Sequence, residues 1–127
     1  MPLSERAALL IPSGPHHDPN KKHLHAVCTD PDADGYVLVV GIASYTSDLC
    51  DQTCVLQQHE HSWLNRQSYV LYRKAGILLA AALHAKILNG EVVRQPDFNA
   101  QVFLRIKNGV CRSKQTPRKI KRYLNRL

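Results

Sequence analysis

The stretch from Asp51 to Tyr72, DQTCVLQQHEHSWLNRQSYVLY, carries Asp51, Cys54, His59, His61, Trp63, Arg66, Ser68, Tyr69 and Tyr72, more reactive and recognition-capable side chains than a structural hairpin needs. Three chemistries are open to them. Cys50, Cys54, His59 and His61 fall as C-x3-C-x4-H-x-H, but structural zinc usually takes well-separated pairs with narrower knuckle spacing, so no metal is assigned. A Cys/His nucleophile has no better support, since no motif brings a cysteine to a histidine. Metal-independent cleavage of RNA accounts for the most residues. It needs a base for the 2′-hydroxyl proton, an acid for the leaving oxygen, and fixed donors around the phosphorane charge. Histidine is the side chain whose ordinary titration range suits acid–base work, and His23 and His61 are the candidate base and acid. Lys22 and Arg66 are candidates to hold the phosphate, and Ser44 and Ser68 to donate hydrogen bonds to it. Trp63, Tyr69 and Tyr72 offer surfaces for unstacked bases. The competing structural reading makes Tyr69 and Tyr72 core-edge strand residues and His61 a loop cap. No cofactor is called for.

Strands must position these groups. Cys54 to Leu56 and Ser68 to Tyr72 flank a polar centre, which predicts strand, exposed loop, strand, with the histidines on the loop. Upstream, residues 22–29 alternate, with Leu24, Ala26 and Cys28 on one side and His23, His25 and Val27 on the other. A turn through Asp30–Gly35 joins them to Tyr36–Ala43, which is apolar on both faces and so belongs at the centre of a core. Gly41 marks a bulge or a close approach of backbone. Residues 1–21 are rich in breakers and read as an irregular arm, in which His16, His17 and Asp18 offer a metal or phosphate contact. Residues 73–90 are dominated by Ala and Leu with Asn89-Gly90 as a stop, which predicts a helix with a strand through Ala75–Leu79 as the competing reading. Phe98, Val102, Phe103 and Ile106 sit at helical spacing, with Pro96 near the start and Gly109 past the end of a predicted helix of about three turns, and a last helix is predicted with Thr116 as N-cap and Pro117 at its first position.

Composition limits the rest. The chain of 127 residues suits a single domain with its own core, and no apolar run is long enough for a bilayer span. The N-terminal residues do not resemble a secretory signal, and the four cysteines are irregularly spaced, which predicts a cytoplasmic protein with reduced thiols. Residues 1–93 hold 7 Lys+Arg against 9 Asp+Glu, whereas residues 94–127 hold 10 against Asp97 alone, so the net charge of +7 comes from the last quarter. Such a basic segment attracts phosphate-rich polymers. Arg118, Lys119 and Arg122 are its candidate RNA contacts.

The run Lys22–Val27, the buried strand Val37–Ile42 ending in Ala43-Ser44, and the later Ser68-Tyr69-Val70 strand resemble the order of pieces in the PemK/MazF-like toxins of type II toxin–antitoxin systems. The resemblance covers roughly residues 20–107. It implies a small SH3-like β-barrel with a C-terminal helix, acting in the cytoplasm as a ribonuclease that an antitoxin silences. In that family a basic residue before the strand and a Ser/Thr after the central strand serve cleavage, and Lys22 and Ser44 match them. The usual arginine is here a lysine, the usual Thr-Ser ending is Ala43-Ser44, and the Pro/His-rich arm stands where the family has an N-terminal strand and Gly-rich loop. The histidine-bearing loop is this chain's own addition.

The expectation is therefore an α+β fold: a small antiparallel SH3-like β-barrel or bent sheet over residues 22–93, an arm over 1–21, and a basic helical segment over 94–127. The expected function is a metal-independent endoribonuclease toxin, with RNA, an antitoxin and a second copy of the chain as partners and no membrane association. The alternatives are a non-catalytic nucleic-acid-binding or regulatory module that uses the basic C-terminal helix, and a zinc-stabilised interaction protein.

Overall fold

The computed structural model describes residues 3–14 and 16–127. In chain order the elements are β1 (Ala8–Pro12), β2 (Lys22–Val27), β3 (Tyr36–Ser44), β4 (Val55–Leu56), β5 (Ser68–Leu79), α1 (Ala80–Leu88), β6 (Val93–Gln95), α2 (Ala100–Arg112) and α3 (Arg118–Asn125). The six strands form one curled, half-barrel sheet in the order β4-β5-β3-β2-β1-β6, every neighbouring pair antiparallel. With three helices packed on it, this is the expected α+β architecture.

Strand alternation sorts the core into two layers. On one face Leu24, Ala26, Leu38, Val40, Ile42, Val70 and Tyr72 meet Phe103, Ile106 and Val110 of α2 and Ile120 of α3. On the other, Leu9, Val27, Val37 and Val39 pack under Leu83 of α1. β3 lies third of six, and Val37 to Val40 are buried without interruption, as a run apolar on both faces demands. Between Val39 and Gly41 the register against β5 slips: Val39 pairs with Gly76, Gly41 with Leu71, and the surplus residues of β5 arch out of the ladder.

The structure departs from the sequence reading in four places. Residues 8–12, expected within an irregular arm, form β1, which pairs with both β2 and β6. The surrounding breakers hide a short apolar strand, and Pro12 is tolerated because it ends the strand. β5 continues through Leu79, because residues 76–79 pair with Tyr36–Val39 and this pairing overrides the helical preference of Ala and Leu; the helix starts only at Ala80. α2 runs to Arg112, past Gly109, and starts after Asn99, whose Oδ1 accepts the N–H groups of Gln101 and Val102 at 2.8 and 3.2 Å. Thr116 does not cap α3: Pro117 holds the cap position, and the buried Thr116 hydroxyl has no hydrogen-bond partner.

All four cysteines are free thiols, and among the described residues no helix is long and apolar enough to cross a membrane.

Candidate functional site

Three segments converge at one end of the sheet. β2 opens with Lys22 and His23, β3 closes on Ser44, and β5 opens on Ser68, paired Cα to Cα with Ser44. The loop between β4 and β5 supplies the fourth side, and it is pinned at several points. Arg105 of α2 pairs with the Glu60 carboxylate and donates to the Val55 carbonyl at 2.7 Å, while the Gln57 N–H donates to Glu60 Oε1 at 2.9 Å. His61 is buried. Its Nδ1 accepts the Trp63 N–H at 3.0 Å, which puts the ring proton on Nε2, donated to the Pro96 carbonyl at 2.7 Å. The imidazole also lies 4.8 Å from the Phe98 ring, tilted by 48°. Leu64 anchors the far side of the loop in the core. The pinned loop thus displays Trp63, 40% exposed, and the exposed Arg66.

These segments enclose a cleft of about 220 Å³, lined by Lys22, His23, Ser44, Trp63, Arg66 and Ser68 together with Lys21, Asn65 and the β3 residues Ile42 and Ala43. None of its lining residues is acidic, and Lys21, Lys22 and Arg66 form no ion pair with any described residue. Three unpaired cations around a small depression make a seat for an oxyanion, with a guanidinium able to grip two oxygens at once.

His23 is placed as a neutral base. Its Nδ1 lies 2.9 Å from Ser13 Oγ, which is itself 3.2 Å from the Ile11 carbonyl. With the serine proton given to that carbonyl, Oγ accepts from Nδ1–H and the imidazole lone pair sits on Nε2. Partial burial, followed by the ammonium groups of Lys21 and Lys74, lowers the His23 pKa below 6.5, so the ring is neutral at neutral pH.

The remaining candidates lie elsewhere. His61 is outside the cleft, with both ring nitrogens engaged. Ser68 lines the cleft but is buried, and its hydroxyl donates to the Arg66 carbonyl at 3.1 Å. Tyr72 is fully buried, its hydroxyl donating to the Ile106 carbonyl at 2.7 Å; burial pushes its pKa far above that of an ordinary phenol. Tyr69 is half-buried in a separate depression of about 260 Å³ with Cys50 and Arg73. Arg118, Lys119 and Arg122 are exposed on α3, which Tyr123 ties to Asp32 Oδ2 at 2.6 Å, beside the start of β3. That is the opposite end of β3 from Ser44, about 26 Å away along the strand at roughly 3.3 Å per residue. Among the described residues no group of three or more His, Cys, Asp and Glu is placed to hold a metal, so Cys50, Cys54, His59 and His61 do not form a zinc set. His16 and His17 are exposed in a turn.

Sequence reasoning missed Lys21, Asn65 and Ser13. Lys21 is adjacent to Lys22, and a doubled cation before a strand was the available signal. Ser13 carries none, because its link to His23 exists only once β1 and β2 pair. No protein-family model matches the chain, and no curated protein matches it.

Proposed function

We propose that the chain is a metal-independent endoribonuclease of the PemK/MazF-like toxin kind, acting in the cleft at the ends of β2, β3 and β5. The observation that carries this reading is the meeting of Lys22, His23, Ser44 and Arg66 in one unneutralised cationic depression. His23 Nε2 takes the 2′-hydroxyl proton, and the 2′-oxygen attacks the adjacent phosphorus. Lys22, Arg66 and the Ser44 hydroxyl stabilise the phosphorane oxygens, and the 5′-oxygen leaves, giving a 2′,3′-cyclic phosphate and a 5′-hydroxyl. The cleft holds one imidazole, so the proton for the leaving oxygen comes from a cationic N–H or from water. Trp63 offers its exposed indole to a neighbouring base. An antitoxin that silences the enzyme, and a second copy of the chain, belong to the same proposal as partners.

The exposed basic face of α3 supports a second reading, a module that binds RNA without cutting it. One experiment separates the two. The purified protein is incubated with end-labelled single-stranded RNA in chelator, beside His23→Ala, Lys22→Ala and Lys119→Glu/Arg122→Glu. Under the nuclease reading the wild type gives discrete products ending in cyclic phosphate. His23→Ala and Lys22→Ala each lose about 10²-fold or more, and the α3 variant still cuts. RNA that stays intact, with a shifted band whose salt dependence flattens in the α3 variant, overturns the nuclease reading in favour of the binding module.

A further inference from the structure

A second cavity, of about 400 Å³, opens on the sheet face beyond the reach of α1 and falls in the roughly 300–1,000 Å³ range of small-ligand pockets. It shares His23 with the cationic cleft, as well as the β3 residues Ile42 and Ala43, so the two depressions adjoin across one imidazole.

His25 gives this cavity a hydrogen-bond acceptor. Its Nδ1 lies 2.8 Å from the His23 carbonyl, and since a carbonyl only accepts, the ring proton is on Nδ1 and the lone pair on Nε2. Nε2 lies over Gly41, its cross-strand partner: a Cβ at position 41 would come within 3.1 Å of Nε2 and 3.4 Å of Cδ2. Glycine therefore leaves space beside Nε2 that a Cβ at position 41 would fill. The cavity also has a donor. Next to Gly41 the β3–β5 register slips, and the arched residues of β5 include Lys74, which lines the cavity. Leu71 adds an apolar wall. An acceptor, a donor and an apolar wall suit a flat heterocycle with both kinds of group on its edge, and a phosphate seat lies next door.

We propose that this cavity binds the nucleobase of the nucleotide adjoining the phosphate held in the cationic cleft, with His25 and Gly41 as its selectivity-determining residues. This rests on the reading of the cleft as an RNA phosphate site, but not on cleavage.

The test follows the ring signals of His23 and His25 by NMR while each of the four ribonucleoside 5′-monophosphates is added, with ribose 5-phosphate as the control lacking a base. At least one nucleotide is expected to shift the His25 signals saturably, while ribose 5-phosphate shifts only those of His23. Gly41→Val is expected to weaken that nucleotide at least tenfold and leave the ribose 5-phosphate response intact. That intact response reports folding, and should Gly41→Val fail to fold, His25→Phe makes the same test with affinities read from the His23 signals, the nucleotide then binding no tighter than ribose 5-phosphate. His25 signals that stay still with every nucleotide, or move equally with ribose 5-phosphate, overturn the base pocket. RNA cleavage combined with an unmoved His25 sinks the pocket and leaves the nuclease standing; a shifted His25 without cleavage does the reverse.

Discussion

Replacing His61 by alanine should cost stability rather than chemistry. Its imidazole makes two hydrogen bonds, from the Trp63 N–H and to the Pro96 carbonyl, each worth about 1 kcal/mol net. Its contact with Phe98 adds about 1 kcal/mol of aromatic packing. The loss is then about 3 kcal/mol. An unfolding entropy of about 2.1 cal/mol/K per residue gives about 0.27 kcal/mol/K for 127 residues, so Tm should fall by about 11 °C. Calorimetry on the wild type, His61→Ala and His61→Gln measures this directly; the glutamine amide retains a donor near the position of Nε2 and should recover part of the loss. RNA cleavage, assayed well below the variant's melting temperature, should persist, weakened only as far as the Trp63 loop loosens. An unchanged Tm together with abolished cleavage would refute the structural role and return His61 to the catalytic set.

Two further outcomes follow from the packing and the titrating groups. Gly109 of α2 sits against the Tyr72 ring, and a Cβ there would lie 1.9 Å from Oη and 2.5 Å from Cζ, so Gly109→Ala must push α2 off β5; a loss of about 2–3 kcal/mol is expected by denaturant melt, and a loss under about 0.5 kcal/mol would contradict the contact. Burial is the first cause that lowers the pKa of both His23 and His25 below 6.5, so under acidic conditions the unfolded chain binds more protons than the native one and stability falls as pH drops through 6.5 and below. Urea midpoints at pH 7.5, 6.5 and 5.5 should decline more steeply for the wild type than for His25→Gln; parallel slopes would remove His25 from the account.

Much of the sheet was legible because its strands are strongly patterned. The alternation in β2 and the unbroken apolar run of β3 each specify one position, half-buried for the first and central for the second. β1 was not legible: five residues amid breakers carry too little pattern, and their pairing with β2 and β6 is a long-range event. Of the residues that line the cleft, Lys22, His23, Ser44, Trp63, Arg66 and Ser68 were named from residue type, the first three and Ser68 at strand ends and the other two on the β4–β5 loop. Direction was harder to read. Tyr72 shares the parity of Val70, a clue to its core position that its phenol obscured. His61 gives no such clue, because both its partners, Pro96 and Phe98, come from a distant segment. Gly41 was flagged for a bulge or a close approach of backbone; the register does slip there, but the surplus residues lie on β5 and the group close to Gly41 is the His25 ring, and the arch that brings in Lys74 is invisible in the pattern of β5 alone.

The length of α1 explains why chemistry collects at this end of the sheet. A helix of nine residues spans about 13.5 Å at roughly 1.5 Å per residue, whereas the nine residues of β3 extend about twice as far. Starting directly from the end of β5, α1 can cover only the adjoining half of the face, and there the sheet presents Val27, Val37 and Val39. Past its reach the same alternating positions become His25 and His23 on β2, and Gly41 and Ala43 on β3. The sequence therefore changes from core-forming to polar or small residues where the helix stops, and the register slip of β5 falls at the same boundary, between Val39 and Gly41. Extending α1 to cover this face would require burying two imidazoles and Lys74 without water. The short helix leaves the imidazoles half-buried and Lys74 exposed at an open cavity, next to the cationic cleft, where a nucleotide can reach both.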